Sequence, residues 1–199
     1  MMISFHDIPR EEMEAMCTPM HCVLPPVPAH KNKTATSTSL AHLPVSTPTR
    51  SGAPKGGLYL GSMAAGHDVD LLREHHITHL VQVLKTPWAP QPDLHNAGFA
   101  CYRIDIEDDM TAALRPHLAE ACNYIRTGIE GGENVLVHCQ QGVSRSASIV
   151  IAYLIRDHHM TYDAAFDFVR TRRQCIRPNS GFVEALREWE IACRSPHLH

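Results

Sequence analysis

The chain of 199 residues has no apolar run near the roughly 18 residues that mark a membrane span. Its seven cysteines include no CxxC pair. An odd count without paired spacing argues against a disulfide scaffold and for reduced thiols, so a cytoplasmic and/or nuclear location is expected. Neither sign of charge dominates: 18 Lys and Arg stand against 21 Asp and Glu, a formal charge of −3. That balance gives no reason to expect nucleic acid as the partner. The opening residues, MMISFHDIPREEMEAMC, lack a positive region followed by an apolar stretch, so no secretory leader is expected. Fifteen histidines are present, yet no zinc set is legible. His75 and His79 stand alone, and Cys17, His21 and Cys22 come without the further ligands that zinc requires. No metal and no cofactor are expected, and there is no internal repeat.

What is present divides unevenly. Residues 1–54 read as a disordered tail, because 25–54 is rich in Pro, Thr, Ser, Ala, Lys and His without helical or strand period. A short helix around Ile8 to Met16 is compatible with it. The tail reads either as a solvated extension or as a docking arm with Ser/Thr phosphorylation sites.

Residues 55–195 carry the periodicities of a folded domain. Gly56 to Gly61 reads as an edge strand and its turn, Val69 to His75 as a short helix, and Thr78 to Leu84 as a buried strand. Pro87 to Pro92 reads as a loop and Phe99 to Ile106 as a third strand. Leu114, Leu118, Cys122, Ile125 and Ile129 recur at helical spacing, and Gly131-Gly132 stops that helix. Asn134 to His138 is short and apolar, as in a central strand covered on both faces. Ser146 to Arg156 is apolar nearly all round and predicts a helix inside the domain. Thr161 caps a further helix, and Asn179 or Ser180 caps the last one. Strands alternating with helices predict an α/β fold, with a central mostly parallel sheet of about five strands flanked by helices.

The chemistry concentrates between the strand ending at His138 and the helix beginning near Ser144. The connecting residues are Cys139-Gln140-Gln141-Gly142-Val143-Ser144-Arg145-Ser146. A loop running into a helix N-terminus converges several backbone N–H groups on one point, where the helix dipole adds positive potential. An oxyanion such as phosphate fits there. Cys139 at the loop's start is placed to act as a thiolate nucleophile. Arg145 offers a planar fork for two phosphoryl oxygens. Gly142 allows a tight turn, and the hydroxyls of Ser144 and Ser146 are free to brace the loop or to hydrogen-bond the sulfur.

This segment resembles the HCxxGxSRS signature of the dual-specificity protein phosphatases. Gly57-Leu58-Tyr59-Leu60-Gly61-Ser62, Ile77-Thr78-His79-Leu80-Val81 and Arg177-Pro178-Asn179-Ser180-Gly181-Phe182 resemble other family motifs in the same order. The resemblance spans about residues 55–191. It implies a protein tyrosine phosphatase-like fold and hydrolysis of phosphotyrosine and phosphoserine/phosphothreonine through a phosphocysteine. Cys139 would be the nucleophile, and Arg145 would bind the phosphoryl group. Ser146 would assist breakdown of the intermediate. Gln140, Gln141, Gly142, Val143 and Ser144 would line the phosphate site, with His138 and Asn179 in support.

The acid aligns with Asp108 of Ile104-Asp105-Ile106-Glu107-Asp108-Asp109, with Asp109 and then Asp105 as rivals. Gln141 stands where the family often has Ala, and Ala185 where it often has Gln. Phosphoprotein substrates, a protein kinase among them, are the expected partners, with no nucleic acid and no membrane. The alternatives are a phosphoprotein-binding adaptor with little turnover, or a lipid or RNA phosphatase. The latter is disfavoured because the loop's variable positions carry no basic residue. Arg170, Arg172, Arg173 and Arg177 form a basic cluster, read either as a solvated helix end or as a secondary anionic subsite. Cys101 and Cys122 read as small buried hydrophobes more readily than as disulfide partners of Cys139.

Overall fold

Strand β5 (Asn134–His138) organises the molecule, and all five of its residues are buried. In a computed structural model, which describes residues 9–28, 53–85 and 94–195, it lies in the middle of a five-stranded sheet ordered β1-β2-β5-β3-β4. The other strands are β1 (Met20–Leu24), β2 (Leu58–Gly61), β3 (Ile77–Val83) and β4 (Ala100–Ile104). β2, β5, β3 and β4 run parallel, and β1 is antiparallel to β2. The α/β expectation holds, with the one antiparallel strand at an edge.

Alternation along β5 sends Val135 and Val137 into the larger core and Leu136 into the smaller one. The larger core lies beneath α4 (Arg115–Glu130), α5 (Arg145–Asp157), α6 (Tyr162–Arg170) and α7 (Ser180–Arg194). The smaller core takes Ala65 from α2 (Met63–His67) and Leu72 from α3 (Val69–Glu74). α5 is buried from Arg145 to Ile155, as its all-round apolar sequence predicts. Thr161 and Asn179 cap α6 and α7 through side-chain oxygens that accept from Ala164 N–H and Phe182 N–H. The Asn134 amide locks the lower end of the sheet. Its Oδ1 accepts from Gly57 N–H at 2.6 Å, and its Nδ2 donates to His75 O at 2.9 Å.

Two expectations fail over the N-terminal segment. Within the stretch read as tail, the short helix anticipated around Ile8 to Met16 forms as α1 (Arg10–Cys17), but the chain goes on into an unanticipated strand, β1. β1 covers β2, which is therefore an interior strand and not an edge. The physical reason is tertiary: Met20 and Val23 bury against the rest of the sheet, with Met20 opposite Gly61 and His21 opposite Leu60. A register shift between Cys22 and Leu24 breaks the period-two pattern that would have announced the strand. Pro25-Pro26 ends it. The anticipated loop at 87–92 and most of 29–54 lie outside the described residues.

Candidate active site

Because β2, β3, β4 and β5 are parallel, their carboxyl ends share one edge of the sheet, where ligands of such folds bind. There the chain leaves β5 at His138, loops through Cys139 to Ser144, and enters α5 at Arg145. Gly142 takes φ +70°, and a Cβ on it would come within 2.6 Å of Gly61 O, so only glycine fits the turn.

The carbonyls from Gln140 to Val143 all point away from the loop's centre. Gln140 O accepts from Met63 N–H at 3.2 Å, and Val143 O from Arg177 N–H at 2.8 Å. Gln141 O and Gly142 O accept from Arg173 Nη2 at 3.0 Å and Nε at 2.8 Å. With carbonyls drawn outward, the peptide N–H groups are left to face inward. The Gly142 N–H lies 3.2 Å from Cys139 Sγ. The Ser146 hydroxyl donates to the same sulfur at 3.1 Å. Sγ thus has two donors aimed at it, the arrangement a thiolate needs. Cys139 is 1% exposed and Ser146 fully buried beneath it.

Ser144 occupies the N-cap position of α5 without capping it. Its hydroxyl donates instead to Asp108 Oδ1 at 2.6 Å. The two serines therefore divide the tasks that the sequence left open: Ser146 serves the sulfur, and Ser144 reaches across to the acidic loop. The first turn of α5, uncapped, faces the pocket with its dipole. That pocket, about 180 Å³, is lined by Asp108, Cys139, Gln140, Gln141, Val143, Ser144 and Arg145. Arg145 is held from the side, its Nη1 donating to Ile106 O at 3.4 Å and its Nε lying 3.8 Å from Asp108 Oδ2.

Of the acidic loop's carboxylates, Asp108 is the one in the pocket. Asn179 Nδ2 donates to its Oδ1 at 2.9 Å, while Asn179 Oδ1 caps α7. Asp109 turns to Thr111, accepting from its hydroxyl at 2.5 Å and its N–H at 2.7 Å, which holds its carboxyl below the usual range. Asp105 pairs with Arg103 at 2.6 Å and Glu107 with Lys85 at 3.0 Å.

His138 is fully buried behind the loop. Burial, and then the neighbouring His67, push its imidazole down to about 4, so it is neutral at physiological pH. Gly66 makes room for it, since a Cβ there would sit 2.5 Å from the ring. Among the described residues no group of three or more His, Cys, Asp or Glu could hold a metal ion.

The basic cluster takes neither of its two sequence readings as a whole. Arg173 is 0% exposed and serves the loop carbonyls. Arg172 lies 3.4 Å over the Phe168 ring and donates to Val23 O. Arg170 and Arg177 face out, both within 3.7 Å of Glu12 on α1. Sequence reasoning missed the partners on the N-terminal segment. Arg173 Nη1 donates at 2.9 Å to Thr18 O and to His21 Nδ1. Burial and the Arg173 charge lower the His21 imidazole, and its Nδ1 accepts because a guanidinium only donates. Burial pushes the Cys122 thiol up to about 12 and raises Cys101, so both behave as packed apolar groups.

The family model described as "Dual specificity phosphatase, catalytic domain" matches residues 58–192. Dual specificity protein phosphatase 1B of Arabidopsis thaliana is 37% identical over 134 residues, which are 67% of this chain and 78% of that protein. Human dual specificity protein phosphatase 1 is 36% identical over 140 residues, 70% of this chain and 37% of its own length. The chain thus spans little over a third of that relative. Among solved structures, human DUSP28 aligns with TM-score 0.64 and 31% identity, over 69% of this chain and 90% of its own. Human tyrosine phosphatase-like serine/threonine/tyrosine-interacting protein aligns with TM-score 0.65 and 31% identity, over 69% and 93%.

Proposed function

The chain belongs to the dual specificity phosphatase family and is a protein phosphatase, and from that premise we propose how its own residues divide the reaction. The substrate's phosphoryl group enters the cradle, where Arg145 holds two of its oxygens and inward N–H groups of the loop take the third. The Cys139 thiolate attacks phosphorus, and the P–O bond to the substrate breaks. The leaving oxygen takes its proton from Asp108, leaving phosphocysteine. Asp108, now a carboxylate, then accepts a proton from water as that water attacks phosphorus. The P–S bond breaks, phosphate leaves, and Sγ regains the Ser146 and Gly142 donors. The observation that carries the reading is one pocket holding Cys139, Arg145 and Asp108 together. Gln140, Gln141, Val143 and Ser144 complete its lining, and His138 and Asn179 support it from behind and beside.

The adaptor alternative keeps a specific foothold in the fold, since one structural neighbour is named as an interacting protein that is phosphatase-like. The two donors trained on Cys139 Sγ favour turnover instead. A lipid or RNA phosphatase is disfavoured because, among the described residues, Arg145 is the one cation lining the pocket. The substrate class proposed is therefore phosphoprotein, a phosphorylated protein kinase included. The compartment is proposed to be cytosol and/or nucleus, on the strength of seven free thiols.

The test is turnover of phosphotyrosine and phosphoserine/phosphothreonine peptides, phosphoinositides and triphosphate RNA by the purified chain. Vanadate-sensitive release of phosphate from the peptides is expected. Phosphopeptide binding without release would overturn the enzymatic reading, and faster turnover of lipid or RNA would overturn the substrate class.

A further inference from the structure

The four outward carbonyls of the catalytic loop are not tethered alike. Gln140 and Val143 are held by backbone N–H groups, which any residue at Met63 or Arg177 other than proline would supply. Gln141 and Gly142 are both held by one side chain, Arg173. In a trans peptide the N–H points opposite to the C=O. Gripping Gln141 O from behind therefore turns the Gly142 N–H toward Cys139 Sγ, where it lies at 3.2 Å. Gripping Gly142 O turns the next N–H, that of Val143, the same way.

Arg173 has no freedom to do otherwise. It is 0% exposed, and an unpaired buried guanidinium would be costly. Its Nε and Nη2 are spent on the loop, and its Nη1 on Thr18 O and His21 Nδ1.

We propose that Arg173 is a positioning residue for the reaction: it fixes the direction of two peptide groups in the catalytic loop, and Thr18 and His21 hold its far edge in place. The N-terminal segment is thereby part of the catalytic unit, coupled to Cys139 through one buried cation. The inference rests on the phosphatase reading and deepens it. The chemistry requires a planar fork that reaches two carbonyls on one edge and two acceptors on the other. Lysine, a point charge, does not supply it.

The test uses the full chain in four forms: wild type, Arg173→Lys, His21→Ala and His21→Gln. Three quantities are read from each: the rate at which iodoacetamide alkylates Cys139 at pH 7, followed on the Cys139 peptide by mass spectrometry; the vanadate concentration that half-protects that thiol; and kcat/KM on p-nitrophenyl phosphate. A thermal melt shows that each form is folded. In Arg173→Lys, alkylation slows, vanadate protection weakens, and kcat/KM falls on the order of 10²-fold, the size seen when an oxyanion donor is lost. His21→Ala moves the same quantities in the same direction by about 3–10-fold, as loss of one hydrogen bond of ordinary net strength would. His21→Gln, whose Oε1 still accepts, returns them to near wild type.

Where Arg173→Lys does not fold, the His21 pair carries the test. The alkylation and protection readings need no turnover, so they decide the proposal even if the hydrolysis assay fails. Alkylation and protection equal to wild type in His21→Ala, with a lowered melting temperature alone, would overturn it.

Discussion

The loop from Cys139 to Ser144 and the loop from Asp105 to Thr111 face each other across one pocket, and they are held by different means. In the first, every carbonyl from Gln140 to Val143 is tied to a residue outside the loop, two of them to Arg173, and Cys139, Gly142 and Ser144 are buried. In the second, Ile106 alone is buried, and Glu107 to Thr111 are exposed. Asp105 and Glu107 are held by surface ion pairs of the kind that contribute roughly 0–1 kcal/mol. Asp108 is fastened at its tip, by Ser144 and Asn179. The difference follows the chemistry. Donors that stabilise charge must be in place before charge develops, because reorienting them during the reaction would raise the barrier. A proton donor must follow the leaving group, which differs among tyrosine, serine and threonine.

Four experiments would break or sharpen that contrast, beginning with the largest effect. Cys139→Ser should lower turnover on the order of 10⁴-fold or more, as loss of a covalent nucleophile does, while vanadate or phosphate still binds. Loss of anion binding by isothermal titration would show that the cradle is not independently built. Asp108→Asn should cost ~10²–10⁴-fold on phenyl phosphate or phosphoserine peptide and much less on p-nitrophenyl phosphate, whose leaving group needs little protonation. An equal loss on both substrates would mean that Asp108 serves the pocket's shape instead of proton transfer.

Third comes the ground beneath the rigid loop. His138 stays neutral in the fold down to about pH 4, whereas an unfolded histidine takes its proton near 6.5. The unfolded state therefore binds more protons in that window, and stability is lost as pH falls from about 6.5 toward 4. The loss is of order 3 kcal/mol, read by urea unfolding at both ends. His138→Asn should flatten the slope, and an unchanged slope would assign it to other groups. The smallest effect belongs to Asp109→Asn, whose contacts are with Thr111 and solvent. Steady-state rates should change by no more than about twofold, and a loss matching Asp108→Asn would show that the two exchange places.

Much of this was legible before the structure. β5 and α5 announced themselves because a central strand and an interior helix are apolar on every side, which no other local structure explains. Cys139 and Arg145 were legible because their chemistry depends on side-chain type, whereas Asp108 was placed only by its alignment with the family motif, residue type leaving Asp109 and Asp105 as rivals. What stayed hidden is what backbone atoms do. The tethers from Met63 N–H and Arg177 N–H leave no mark on residue choice. Arg173 was visible as a charge, but its partners are carbonyls and a histidine over 150 positions away in sequence. α1 was legible as a short helix around Ile8 to Met16, whereas β1 was missed because it is not stable alone. A five-residue strand with a register shift has too little pattern to read, and it exists because β2 offers it a row of hydrogen-bonding partners.

That last dependence has a practical side for anyone trimming the chain. A shortened protein starting at residue 55, where the recognisable family motifs begin, would leave β2 with unpaired N–H and C=O groups along one side. Leu58, Tyr59 and Leu60 are apolar and buried in the intact fold. Such a bare, apolar strand is a template for pairing with another molecule, so the trimmed form should self-associate on light scattering where the full chain stays monodisperse. On that outcome, a segment that reads as a solvated tail would be what shields the sheet from pairing with a second molecule.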